Sequence, residues 1–300
     1  MNDILIKTAL VIPVYNRKEI TLQGLRSLSR IDSSGLDVRI FIVDDGSIDG
    51  TSDAIRKEFP EVEIIQGDGT LHYAAGTNRG IEAALAWNPD FIVAMNDDAV
   101  FHEQFLRRLI QTAQLHPRSV VGSLLLLWDE PHKVFQVGPE WHTLRGGWQI
   151  PQDLTAFTVP SEPFEVECIV GNCVLIPTEA VRECGLMDEK HFRHGWGDAQ
   201  YMARMSIMGW KLLIDPKSYV WCEPNTYPKP LHELSIREGL KILFIDEKHP
   251  GNLKRQVVAR WYSAPTKTKA LAAFGVYCVL LAQKAAIYGF REYYPWAADR

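Results

Sequence analysis

The sequence predicts an α/β protein: a mostly parallel sheet with flanking helices, followed by a helical extension. Three observations carry this. Several short segments are apolar at nearly every position, as strands covered on both faces are. Segments with apolar residues at helical spacing stand between them. The strands end in polar, turn-forming clusters, and the alternation of strand and helix is that of a parallel sheet. Residues 8–14 (TALVIPV) read as the first strand, and Leu22, Leu25 and Leu28 set the period of the helix after it. Residues 38–43 (VRIFIV) form the second strand, stopped by Asp44-Asp45-Gly46-Ser47, and a short helix fits 51–58. A brief third strand at 62–65 precedes a helix over 76–86. Residues 91–95 (FIVAM) form a fourth strand, 103–115 a helix, and 120–127 (VVGSLLLL) another strand. Residues 128–167 are rich in Trp, Gly and Pro, with weak periodicity, and read as loops and short strands framing a pocket. Strand character returns at 168–176 (CIVGNCVLI), helices fit 178–184 and 198–208, and a strand fits 211–214. From about 231 the pattern is helical and basic, which sets the expected domains at 1–230 and 231–300.

The chain has 300 residues, 46% of them hydrophobic and 23% charged. That balance is the one of a globular domain and excludes disordered, collagen-like and coiled-coil classes. Five Cys are too few, and odd in number, for a disulfide scaffold, so a reducing compartment is expected. The start, MNDILIKTALVIPVYN, interrupts its apolar residues with Asp3 and Lys7 and lacks the organisation of a signal peptide. A cytoplasmic protein is expected. The net charge of -5 is uneven: residues 231–300 hold 11 Lys or Arg against 6 Asp or Glu, leaving the rest acidic. An acidic body with a basic tail is ill-suited to nucleic acid and suits a catalytic domain with a surface-binding element.

Three polar clusters directly follow three predicted strands: Tyr15-Asn16-Arg17, Asp44-Asp45-Gly46-Ser47-Ile48-Asp49 and Asn96-Asp97-Asp98. One such cluster is ordinary turn chemistry. Three of them at the carboxyl edge of a parallel sheet converge on the crevice where ligands bind. Clustered carboxylates there call for a hard cation, Mg²⁺ or Mn²⁺, commonly shared with substrate phosphates. Gly76-Thr77-Asn78-Arg79-Gly80 opens a predicted helix, whose free N–H groups and Arg79 could reach a phosphate or a base. The alternative is a glycine-eased helix start with a surface arginine.

Taken in order, these residues resemble the family-2 glycosyltransferases of the GT-A fold. The likeness begins with Val11-Ile12-Pro13-Val14-Tyr15-Asn16-Arg17, continues in Val43-Asp44-Asp45-Gly46-Ser47 with Asp49, and includes Asn96-Asp97-Asp98. It goes on through Gly171-Asn172, Gly185-Leu186-Met187-Asp188-Glu189 and Gly197-Asp198-Ala199-Gln200-Tyr201, ahead of Arg204 and Gly209. It spans roughly residues 8–221. The Gly76–Gly80 phrase with the Asn-Asp-Asp form is similar to the branch with bacterial rhamnosyltransferases and related polysaccharide enzymes. The resemblance implies a metal-dependent, inverting hexosyltransferase. Its donor would be a TDP- or UDP-linked sugar, with rhamnose a candidate. Its acceptor would be a glycan or lipid-linked glycan in cell-surface polysaccharide biosynthesis. Asp44 would meet the base, and Pro13–Tyr15 would form the base and ribose wall. Arg17, Asp45, Gly76, Asn78, Arg79, Asn96 and Asp97 complete the donor side. Asp98 would bind the metal, and Asp198 would be the catalytic base. Trp196, His194 and Gly197 are acceptor-side candidates.

Two departures from the family pattern stand out. Where relatives often carry a His after the strand near 220, this chain reads Val220-Trp221-Cys222-Glu223. A thiol suits Mg²⁺ badly, so His191, His194 or His232 could substitute, or the contact could be lacking. Gln200 stands where many relatives have a second acid. His72 and Tyr73, in a Gly-flanked loop, could touch the donor or simply face solvent. Trp141, Trp148 and Trp196 could stack on sugars or pack in the core. Rival readings are a Mg²⁺-dependent phosphotransfer or phosphatase domain, and a non-catalytic sugar-nucleotide-binding protein. Neither phosphotransfer reading explains Asp198.

In the tail, residues 248–269 contain six Lys or Arg and no Asp or Glu, with Trp261 and Tyr262 among them. Residues 270–282 are then apolar apart from Gly275, too short a run to span a bilayer. Basic residues and aromatics beside an apolar helix suit an interfacial anchor on an anionic membrane surface, at the inner face of the cell membrane. The alternative is a helix packed on the protein with a solvated basic face.

Overall fold

Covering on both faces is what the continuous apolar runs obtain. A computed structural model describes residues 5–193, 195–223 and 234–293. Strands β1 (Ile6–Val14), β2 (Leu36–Asp44), β3 (Glu63–Gln66) and β4 (Phe91–Met95) are parallel, in the order β3-β2-β1-β4. Helices α1 (Lys18–Leu28), α2 (Thr51–Glu58) and α3 (His72–Ala86) connect them. Leu10, Ile42 and Val93 at the strand centres are wholly buried. Helix α3 lies close on β1 because Gly76 and Gly80 line the contact. A Cβ on Gly80 would stand 2.3 Å from Val11 Cγ1, and one on Gly76 3.0 Å from Pro13 Cβ.

Beyond β4 come β5 (Ala99–Phe101), α4 (Phe105–Leu115), β6 (Ser119–Leu127) and β7 (Val134–Gln136). Short strands β8 (Glu140–His142), β9 (Gly147–Gln149) and β10 (Phe164–Glu165) follow. Then come β11 (Cys173–Pro177), α5 (Thr178–Cys184), α6 (Gly197–Ile207) and β12 (Lys211–Cys222). The main sheet runs β10-β12-β6-β11-β4-β1-β2-β3. It is mixed: β11 is antiparallel to both β4 and β6, while β12 is parallel to β6.

Two elements differ from the sequence reading for identifiable reasons. The stretch 168–172 is loop, and strand character starts only at Cys173. The strand expected at 211–214 continues to Cys222 through a register shift between Asp215 and Tyr219. Asp215-Pro216 looks like a terminator in sequence, but a bulge absorbs the proline and pairing resumes.

The described residues form two compact units. The sheet unit takes the chain through Glu140 and again from Ile150 to the end of β12. The second unit joins Trp141–Gln149 to helices α7 (Ile236–Phe244), α8 (Leu253–Ser263) and α9 (Lys267–Tyr293). Within it, Trp141 and Trp148 meet edge to face at 5.4 Å, and Trp148 Nε1 donates to Ser263 Oγ at 2.9 Å. Both rings are thus packing elements. Arg260 donates from Nε to the Gly146 carbonyl at 2.7 Å and lies over the Tyr277 ring. The apolar run 270–282 is part of a longer helix: α9 has 27 residues and passes through Gln283 and Lys284. Its Ala270 and Ala273 are buried, while Leu271 and Val279 are exposed. Among the described residues no helix is long and apolar enough to cross a membrane.

Candidate functional site

The loops after β1, β2 and β4 meet at the carboxyl edge of the sheet, as parallel strand order requires. Asn16, at φ 51°, is where β1 turns outward. Its N–H donates to Ser47 Oγ at 2.8 Å, and its Oδ1 accepts from the Ile48 N–H at 2.8 Å. The Lys18 N–H donates to Asp49 Oδ2 at 3.0 Å. The first two loops are therefore laced together. Asp44 is buried; its Oδ1 accepts from the Ser47 N–H at 2.9 Å and its Oδ2 from the Ser52 hydroxyl. Gln66 Nε2 donates to Ser52 Oγ at 2.9 Å, which completes a relay that fixes the Asp44 carboxylate. Tyr15 stands exposed at the rim beside this wall.

Arg17 ties the first loop to the third. Its Nη1 donates to Asp97 Oδ1 at 3.0 Å and Asp98 Oδ2 at 3.2 Å, and its Nη2 to Glu223 Oε2 at 3.2 Å. Glu223 directly follows β12, and its N–H donates to the Asp98 carbonyl at 3.3 Å. Asp97 is buried and also accepts from Thr21 Oγ1 at 3.3 Å. Burial pushes its carboxyl up to about 6; Arg17 opposes this and Asp98 adds to it. Burial works against the Arg17 charge, but Asp97 and Asp98 outweigh it and hold the guanidinium pKa above its ordinary value.

Asp198 sits in the first turn of α6, and its Oδ2 accepts from the Gly171 N–H at 3.0 Å. The next carbonyl, of Asn172, accepts from the Asn96 N–H at 3.0 Å. One short loop thus joins Asp198 to the Asn96-Asp97-Asp98 turn. Tyr73 spans the same gap: its hydroxyl donates to the Gly171 carbonyl at 2.9 Å. Burial raises the Tyr73 phenol well above its ordinary pKa, and Asp198 and then Asp98 push the same way. Trp196 precedes α6 in a left-handed conformation, φ 69°, unusual for a bulky residue and the kind of strain that gathers at functional sites. Gly197 packs against Ala74 and Phe192. His194 and His232 lie outside the described residues.

Four expected donor-side residues have other partners. Helix α3 begins at His72, so Gly76, Asn78 and Arg79 stand inside it and do not open it. Arg79 pairs with Glu82 at 3.2 Å on the helix surface. Asn78 is buried; its Nδ2 donates to the Met187 carbonyl at 3.0 Å and Glu189 Oε2 at 2.8 Å, and its Oδ1 accepts from the Met187 N–H at 2.9 Å. Asp45 accepts from the N–H groups of Gly69, Leu71 and His72, at 2.9, 3.1 and 3.0 Å, and so fixes the loop that starts α3. His191 bonds Asp188 at 2.7 Å. Cys222 is buried beside Asn172, and burial pushes its thiol up to about 12. It is a protonated packing group. Glu223 and the Ser52–Gln66 relay were not singled out by sequence. Glu223 escapes because the strand before it looks as if it ends at 214.

A divalent cation has a partial donor set here. Asn96 Oδ1 and Asp98 Oδ1 are buried without a hydrogen-bond partner. Orphaned hard oxygens at a strand end are what Mg²⁺ or Mn²⁺ accepts. Among the described residues no group of three or more His, Cys, Asp or Glu side chains forms a cage. The residues fit a cation that takes one carboxylate from the protein and completes its shell from phosphate and water.

A Rossmann-like mixed sheet with acidic loops at its carboxyl edge and an acid on a following helix is an arrangement of the GT-A type. The sequence agrees: residues 9–182 match the model of glycosyl transferase family 2, and the chain belongs to that family. It is 25% identical over 253 residues to an N-acetylglucosaminyl-diphospho-decaprenol L-rhamnosyltransferase of Mycobacterium tuberculosis, covering 77% of this chain and 78% of the relative. Its fold is similar to GalNAc-T7 solved with UDP, GalNAc and Mn²⁺, with TM-score 0.61 and 15% identity over 90% of this chain. The chain spans about half, 54%, of that protein. It is also similar to residues 1–349 of S. aureus TarS, with TM-score 0.56 and 12% identity, covering 98% of this chain and 75% of that one.

Proposed function

We propose that this family-2 glycosyltransferase moves a hexose, with rhamnose the first candidate, from a UDP- or TDP-linked donor to a lipid-linked glycan, with inversion. The observation that carries the reading is the short bridge from Asp198 through Gly171 and Asn172 to Asn96, which ties the Asp198 carboxylate to the acidic turn and supports its reading as the base. Asp44, fixed by Ser47 and Ser52, faces the base of the donor beside Tyr15 and Pro13. The acceptor oxygen attacks the anomeric carbon, its proton passes to the Asp198 carboxylate, and the bond to the nucleoside diphosphate breaks. A divalent cation held at Asp98 would supply charge neutralisation for the departing diphosphate. The lipid-linked acceptor in the relative's name, and the exposed apolar and basic side chains of α7–α9, support work at an anionic membrane face.

Thermal unfolding with UDP and TDP, each with and without Mn²⁺, tests the donor class. Stabilisation by one of them that needs Mn²⁺ is expected. Indifference to both would overturn the reading. Transfer of labelled sugar onto a prenyl-diphosphate-linked GlcNAc then tests the acceptor.

A further inference from the structure

Arg17 poses a question of charge. Its guanidinium sits among three carboxylates, Asp97, Asp98 and Glu223, and satisfies one oxygen of each. Next to it Asp98 Oδ1 and Asn96 Oδ1 are buried and unpartnered. With the carboxylates ionised, one monovalent cation leaves the cluster two charges short of neutrality, and the vacant acceptors lie on Asp98 and its neighbour. A guanidinium whose Nη1 is shared by two adjacent carboxylates is an unusual neighbour for a divalent cation, because like charges in a partly buried site repel strongly.

We propose that Arg17 is the counter-ion of the cation site, competing with the divalent cation for Asp98 until the donor's diphosphate draws the guanidinium away. This rests on the metal reading above. Glu223 is the tether: half-exposed at the rim, it holds Nη2 while Nη1 stays on Asp97 and Asp98. When the cation takes Asp98, the freed fork has the planar geometry that pairs with phosphate oxygens. Arg17 therefore opposes the bare cation and favours the cation–diphosphate pair. Coupling of this kind makes cation and donor bind together.

The two effects have opposite signs, which a merely structural ion pair does not produce. Mn²⁺ binding by the full chain is measured by electron paramagnetic resonance, first with the ion alone and then with UDP or TDP. In Arg17→Gln, bare Mn²⁺ should bind about tenfold more tightly, since the competing charge is gone. The nucleotide in the presence of Mn²⁺ should bind about tenfold more weakly, since the phosphate loses its fork. Glu223→Gln lies at the surface and is safe for folding. It removes one negative charge and leaves Arg17 to Asp97 and Asp98, so bare Mn²⁺ should bind several-fold more weakly. Wild-type Mn²⁺ binding that neither variant alters would overturn the counter-ion role and leave the metal reading standing. A wild-type chain that holds no Mn²⁺, with or without nucleotide, would overturn both.

Discussion

Gly171 and Asp198 are fitted so closely that no side chain can stand between them. A Cβ on Gly171 would lie 2.5 Å from Asp198 Cβ and 2.9 Å from its Oδ2. The Gly171 N–H that holds the carboxylate is in reach only because the backbone itself forms the contact. Gly171→Ala should therefore push Asp198 off its position and cut turnover by about 10²-fold, within the range a positioned base supplies. Asp198→Asn should lower turnover at least as much. Both should leave nucleotide affinity near wild type, because neither residue lies at the Asp44 loop, where the proposed function puts the base of the donor. Equilibrium binding of the nucleotide beside kcat separates the outcomes; lost binding in Asp198→Asn would mark a donor-facing residue instead.

Asp98 carries one buried oxygen without a partner and shares the other with Arg17, so its removal should tell on the cation as well as on that ion pair. Asp98→Ala should abolish Mn²⁺-dependent stabilisation by UDP or TDP and most of the activity. Treating the wild type with EDTA should reproduce the loss, and Mn²⁺ should restore it. Full activity in EDTA would sink the metal assignment.

Asn78 makes the contrary case: a residue expected on the donor and found holding the loop at Met187–Glu189. Asn78→Ala would leave the Met187 N–H buried and unpaired, while the Met187 carbonyl keeps the Glu189 N–H, at a cost of about 1–3 kcal/mol for such a group. Denaturant unfolding should show the loss while the nucleotide's Kd stays unchanged. A weakened Kd with unaltered stability would return Asn78 to the donor side.

The free thiols report on packing. Burial pushes Cys173 and Cys222 up to about 12, and raises Cys168 further in the same direction. At pH 8 a thiol near 12 is ionised in only about one part in ten thousand, and the thiolate is the reactive form. A disulfide reagent at pH 8 should modify the partly exposed Cys278 promptly and those three only after unfolding. Quick modification of Cys222 would show that the end of β12 opens.

How far the sequence disclosed this site depends on whether its residues lie on strand ends. Asp44, Asp97, Asp98 and Arg17 were legible because apolar runs such as FIVAM stop abruptly at polar residues, and parallel topology gathers such ends. Asp198 was legible only through its family motif. Asn78 and Arg79 stand inside α3 and not at its opening because Gly76 looks in sequence like a helix start, whereas it lets a helix begun at His72 approach Pro13. Glu223 was hidden behind a bulge that no local pattern announces. The hairpin at 141–149 was hidden too. Its tryptophans pack within a unit whose other residues lie some hundred positions later, and that is a long-range contact.

The second unit yields the last prediction. Of the six cations in 248–269, two are half-buried. Arg260 is committed to Gly146, Gln256 and the Tyr277 ring, and Arg255 donates to the Lys248 carbonyl at 2.6 Å. Burial lowers the pKa of both, with nothing of equal size opposing it. The exposed cations are Lys248, Lys254, Lys267 and Lys269. Lys267 also lies 4.7 Å from the Trp261 ring centre and 5.4 Å from that of Tyr262, as in a charged and aromatic interfacial patch. Exposed apolar side chains accompany them: Leu240, Phe244 and Ile245 at α7, and Leu271 and Val279 at spacing eight on one face of α9. Each lysine near an anionic leaflet contributes about 1 kcal/mol, screened by salt, while buried apolar area persists at high salt. The full chain should therefore sediment with anionic vesicles at low salt and in part at high salt. Changing the four lysines to Gln should flatten the salt dependence. Changing Leu271 and Val279 to Asp should remove the salt-resistant fraction and leave the salt-sensitive one. Arg260→Gln should do neither and should lower the unfolding temperature, since it breaks packing inside the unit. A chain that stays in solution with anionic vesicles at low salt would sink the membrane assignment, and the exposed face would then need a different partner.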